Sequence, residues 1–121
     1  MDHITIKNFN LIRKEVESKS KNVKIIAVTK TFSIEAIKPM INYGHLHFGE
    51  NKVQEAVSKW QDIKKDYENI KLHLIGKLQT NKVKFPIKLF DYIHSLDNEK
   101  LAIKISSAQK DLSRDVKLFI Q

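Results

Sequence analysis

The 121-residue chain contains no cysteine. Disulfide bridges, thiolate metal sites and cysteine nucleophiles are thereby excluded, and the composition is compatible with a reducing compartment. Apolar runs are short, and none approaches the ~20 residues that a membrane-spanning helix needs. The start, Met1-Asp2-His3-Ile4, lacks the basic-then-apolar pattern of a signal peptide, so the expected location is cytoplasmic. Low-complexity tracts and interdomain linkers are also missing. What is present, 41% hydrophobic and 30% charged residues, suits one ordinary domain with one modest core.

Arginine is scarce as well. Of the 22 basic residues only Arg13 and Arg114 are arginines, although the formal charge is +8. Base and phosphate recognition favours the planar guanidinium fork, and the lysines are spread from Lys7 to Lys117 without gathering aromatics into one patch. They read as solvated helix faces, and specific nucleic-acid binding is not expected.

Residues 2–18 carry Phe9, Ile12 and Val16 at helical spacing, and the polar segment 18–22 reads as a loop. Residues 23–28 form a strand candidate whose apolar run suits burial on both faces of a parallel sheet. The next helix presents Ile34, Ile37, Met40 and Ile41, with Ser33 as N-cap and Gly44 just past its end. Pro39 predicts a kink or a shorter helix. Residues 45–48 form the second strand, and Val53, Ala56, Val57, Trp60, Ile63 and Tyr67 make the clearest 3.6-residue stripe. Beyond it come a strand at 70–75, a polar helix at 78–89 interrupted by Pro86, and a strand at 90–95. Asp97 is a good N-cap for a helix with Leu101, Ile105, Ala108 and Leu112 on one face, and a fifth strand starts at Val116.

A leading helix followed by strict strand and helix alternation implies an α/β fold with a parallel sheet and right-handed crossovers. An open doubly wound sheet and the first five strands of an eight-stranded barrel both fit this order. In either architecture function belongs to the carboxyl ends of the strands, where Lys30, Gly49-Glu50-Asn51, Gly76-Lys77, and Ser95 with Asp97 fall.

Lys30 ends an apolar strand abruptly. It is either an edge lysine reaching water through its long stem or an amine placed for Schiff-base chemistry, which requires a site that lowers its pKa. The amide of Asn51, with close backbone approach at Gly49 and Gly76, could orient a flat ligand. Gly44 and Gly49 have the spacing that opens a P-loop, but Glu50-Asn51 stand where Lys-Ser or Lys-Thr is required. His45 and His47 share a strand face without a third metal ligand in the pattern, so no metal site is expected. His73, opposite Leu72 and Leu74, reads by itself as a hydrogen-bonded interior histidine.

Three strand exits have a familiar wording. Ala27-Val28-Thr29-Lys30-Thr31, Phe48-Gly49-Glu50-Asn51-Lys52-Val53-Gln54-Glu55 and His73-Leu74-Ile75-Gly76-Lys77-Leu78-Gln79-Thr80-Asn81-Lys82 resemble the consecutive signatures of the pyridoxal phosphate homeostasis protein family. Tyr92-Ile93-His94-Ser95-Leu96-Asp97 is similar to the next block, and the resemblance runs from about Phe9 to the last residue. It implies a (β/α)8-type barrel of the alanine racemase N-terminal kind with an extra N-terminal helix, truncated here after about five strands, so that residues 1–121 would form a partial barrel domain. It implies pyridoxal 5′-phosphate held as a Schiff base on Lys30, with Asn51 and His73 at family positions close to the cofactor, and Ile75 and Ser95 as weaker candidates.

The function implied is intracellular cofactor homeostasis without established turnover, with cofactor-accepting apoenzymes as partners. The last three strands and the loops that hold the phosphate in a complete barrel are missing from the pattern, so weak, nonspecific or absent binding is expected. Two other classes stay open: a pyridoxal-phosphate-dependent racemase or decarboxylase, which would need a second acid/base on the opposite ring face, and a basic interaction module without cofactor.

Overall fold

The computed structural model describes residues 4–120. Helix α1 (Ile4–Lys19) leads into β1 (Ala27–Val28), α2 (Ile34–Tyr43), β2 (His47–Glu50), α3 (Val53–Asp66), β3 (Lys71–Leu74), α4 (Lys84–Leu89), β4 (Tyr92–Leu96), α5 (Glu99–Leu112) and β5 (Lys117–Ile120). The expected element order is observed. The expected start of α1 at Asp2 lies outside the described residues.

All strand pairs are parallel and the sheet order is β1-β2-β3-β4-β5. A doubly wound sheet reverses its order at a switch point. This sheet has no reversal, so right-handed crossovers put successive helices on the same side. One core forms there: Phe48, Leu72, Leu74 and Ile93 from the strands meet Ile37, Met40, Ala56, Trp60, Ile87, Leu101 and Ile105 from the helices, while α1 adds Ile6 and Phe9.

Burial of β1 on both faces is therefore corrected. Ile25 and Ala27 pack against the core, whereas Val28 is 49% exposed on the uncovered side. Strand β1 is an edge strand with one neighbour, and only two of its residues join the ladder.

Local chemistry explains the boundaries. The Ser33 hydroxyl accepts from the Ala36 N–H, and Gly44 closes α2 in the left-handed region at φ 103°. Helix α2 runs on past Pro39 to Tyr43, so it is not shortened there, at the cost of the hydrogen bond that proline cannot donate. Helix α4 is six residues long rather than spanning 78–89, and Pro86 falls in its first turn, where a missing N–H is tolerated. Asn98, and not Asp97, caps α5 by accepting from Leu101 N–H at 2.8 Å. Strand β2 lies two residues later than expected, which turns Gly49 and Glu50 from loop into strand.

Candidate functional site

Strand alternation sorts the side chains. Phe48 and Glu50 of β2 point to the helices, so His47 and Gly49 belong to the open face. Register aligns Val28 with Gly49, Gly49 with His73, and His73 with Tyr92. One row thus crosses four strands. Lys30 and Asn51 each follow that row by two residues in sequence, just past the ends of two adjacent strands, and His73 lies within it.

Lys30 is exposed, in the turn after β1, and its amine has no ion-pair partner among the described residues. These residues do not supply the burial that the chemistry of a reactive lysine calls for. Asn51 is half-buried beside Gly76. A Cβ on Gly76 would stand 2.0 Å from the Asn51 carbonyl oxygen and 2.5 Å from its Oδ1, so only glycine lets the two exits approach so closely.

His73 is buried although it belongs to the open face, because neighbouring rings cover it. Its Nε2 lies 3.0 Å from His47 Nδ1, its Nδ1 lies 2.8 Å from His94 Nε2, and Tyr92 stacks on it at 4.2 Å. Burial, reinforced by His47 and His94, pushes the His73 pKa down to about 4. His47 is lowered by burial and then by Lys24 and Lys71, and His94 by burial. The three imidazoles form a neutral row at pH 7, in which each shared hydrogen bond needs one ring to donate and the other to accept. Among the described residues no group of three or more His, Cys, Asp or Glu could hold a metal ion. His45 goes elsewhere, edge-on to Phe9 and Phe48.

Of the weaker candidates, Ile75 follows His73 by two residues and borders Gly49, while Ser95 is buried. Glu50 is not a rim group. It is fully buried, with its carboxylate accepting from Trp60 Nε1 at 3.3 Å, from Lys59 Nζ at 3.1 Å and from the Thr29 hydroxyl. The sequence reading missed Glu50 and Lys59 as a buried pair, although the Glu55 and Lys59 spacing on α3 was a visible signal for an ion pair. A groove of about 950 Å³ lies between α3, α4 and α5, and none of Lys30, Asn51 and His73 lines it.

Fold and rim define a singly wound parallel α/β protein with a lysine just past the carboxyl end of its first strand that has no ion-pair partner among the described residues. No protein-family model matches the chain. Among curated proteins it is 39% identical to the pyridoxal phosphate homeostasis protein of Buchnera aphidicola subsp. Schizaphis graminum, over 100% of this chain and 55% of that protein. The namesake of Haemophilus influenzae is 35% identical over 94% of this chain and 51% of its own length. Among solved structures, PipY of Synechococcus elongatus with PLP bound has a TM-score of 0.78 at 38% identity, covering 87% of this chain and 50% of PipY. Over the stretch it spans the chain is similar to proteins named pyridoxal phosphate homeostasis protein, and that stretch is about half the length of the curated relatives it matches. Among the described residues no helix is long and apolar enough to cross a membrane.

Proposed function

We propose that this chain is a partial (β/α) barrel domain, spanning residues 1–121, that carries the anchoring half of a pyridoxal 5′-phosphate site. In this reading the cofactor is held as a Schiff base on Lys30, in the service of intracellular cofactor homeostasis and without catalytic turnover. The sequential strand order, which winds in one direction as a barrel does, supports the barrel. The register supports the site reading, because it pairs Val28 with Gly49 and Gly49 with His73, and Lys30 and Asn51 follow Val28 and Gly49 by two residues each.

The donor set fits the group. Bound there, the cofactor supplies an aldehyde that condenses with a primary amine. Lys30 offers such an amine with no ion-pair partner among the described residues, Asn51 offers an amide for a ring substituent, and His73 stacked on Tyr92 forms an aromatic surface on the open face. Both ring nitrogens of His73 are engaged, with His47 and His94, so a neutral His73 backs the site as part of an aromatic wall without adding charge. Cofactor-accepting apoenzymes are the partners this role requires.

The test is to mix the protein with pyridoxal 5′-phosphate, reduce with borohydride and map the adduct by peptide mass. Selective modification of Lys30, lost in Lys30→Ala, is expected. Folded protein with Lys30 unmodified, or labelled no more than the surface lysines, overturns the reading.

A further inference from the structure

We propose that Glu55, seconded by Lys59 and Glu50, is a positioning residue that holds Lys30 in the orientation its reaction needs. The inference rests on the covalent role of Lys30 just given.

Lys30 stands between two threonines whose hydrogen bonds all run to β2, α3 or their own turn. On its amino side, Thr29 N–H donates to the Gly49 carbonyl at 2.9 Å and the Thr29 hydroxyl donates to Glu50. The Thr29 carbonyl accepts from Lys59 Nζ at 2.8 Å and from Phe32 N–H at 3.2 Å, and the second bond closes a four-residue turn with Lys30 at its second position. On its carboxyl side, Thr31 N–H donates to Glu55 Oε1 at 2.5 Å.

Thr31, third in that turn, has φ 68°. Glycine is the residue favoured at a positive φ there, and a β-branched side chain pays strain for it. Such a conformation persists where the surroundings over-determine it. The surroundings here are one unit: Lys59 Nζ bridges Glu50 at 3.1 Å and Glu55 at 3.2 Å, with the Lys59 side chain 9% exposed and Glu50 fully buried. Strand β1 cannot supply this constraint, since only two of its residues pair with a neighbour. Glu55 therefore ties the far side of the Lys30 turn to the start of α3, while Lys59 ties the near side. Thr31 N–H and then Lys59 hold the Glu55 carboxyl below its ordinary range, so the acceptor is charged at neutral pH.

Two variants of the full chain remove the acceptor: Glu55→Ala, and Glu55→Met, which keeps the aliphatic stem. Glu55→Gln retains an acceptor oxygen. Two readouts are taken, the exchange rate of the Thr31 amide by NMR and the fraction of borohydride-trapped pyridoxal 5′-phosphate found on Lys30. Loss of one hydrogen bond to a charged acceptor should speed Thr31 exchange by about tenfold or more. In the same two variants the Lys30 fraction should fall by about tenfold, toward that of the surface lysines, while Glu55→Gln keeps both within about twofold of the parent.

A role confined to stability would lower the thermal midpoint and leave the Lys30 fraction unchanged. That result, or a loss in Glu55→Gln as large as in Glu55→Ala, overturns the proposal while the covalent role stands. A parent protein that is not labelled preferentially at Lys30 overturns the covalent role and the proposal with it.

Discussion

His73 stacks on Tyr92 with ring centroids 4.2 Å apart and planes 5° from parallel. The stack covers a histidine that strand parity assigns to the uncovered face. Burial comes first among the causes that lower its pKa from 6.5 to about 4. Between those two values the unfolded chain binds more protons than the folded one, so stability is fully present above pH 6.5 and is lost as pH falls toward 4. The shift corresponds to about 3 kcal/mol of stability lost in acid. Urea unfolding at pH 7 and pH 4.5 should show this loss in the parent and a clearly flatter profile in His73→Phe. Equal pH dependence in the two proteins would contradict the assignment.

Glu50 is the acceptor shared by Lys59, Trp60 and Thr29 in the interior. Glu50→Ala leaves a largely buried ammonium without its innermost partner, which costs about 3–5 kcal/mol. Glu50→Gln retains an acceptor oxygen and should cost less than half of that. Trp60 is the single tryptophan, so its emission reports the same environment during denaturation. Alanine and glutamine variants within 0.5 kcal/mol of each other would rule out the charge as the source, taking about 0.5 kcal/mol as the ordinary effect of a neutral site.

Gly76→Ala forces a methyl group into the Asn51 backbone, because the new Cβ would lie 2.0 Å from its carbonyl oxygen. Backbone cannot step aside as a flexible side chain does. A loss of about 1–3 kcal/mol is expected, together with displaced Asn51 amide resonances. Parent-like stability and unshifted resonances would mean that the two strand exits are not in contact.

Thr31→Gly relieves the left-handed backbone while keeping the N–H that Glu55 accepts. The strain released exceeds the added flexibility of the unfolded chain, so the midpoint should rise by the equivalent of about 0.5 kcal/mol. A lowered thermal midpoint would show that the threonine side chain contributes more than its conformation costs.

Periodicity made much of the fold legible. The stripe from Val53 to Ile63, with Tyr67 closing it, marks α3, and Ser33 and Gly44 mark the ends of α2, because these signals are local. Boundaries moved where two local signals competed. Pro86 predicts an interruption inside a long helix, whereas it stands near the start of a short one. Asp97 and Asn98 are both capable caps, and the choice depends on where β4 ends.

The candidate site divides the same way. Strand ends and motif wording mark Lys30, Asn51 and His73, whereas the alignment of His73 with Gly49 and Tyr92 on the open face depends on register. Placing β2 two residues too early hid the fact that Glu50 is part of a strand, and a shift of that kind decides whether a carboxylate lies in a loop or in the interior. His47, His73 and His94 come from three different strands, so nothing local connects them.

By itself the sequence determined the alternation of elements, the lysine at the end of the first strand and the absence of any thiol chemistry, since each depends on neighbouring residues or on composition alone. Tertiary structure decided which side of the sheet is covered. Unreversed strand order puts the helices on one side, which exposes Val28, draws Glu50 inward and lets three histidines meet on the other. Alternation along a strand says only that two faces differ; which of them meets the core depends on the path of the whole chain.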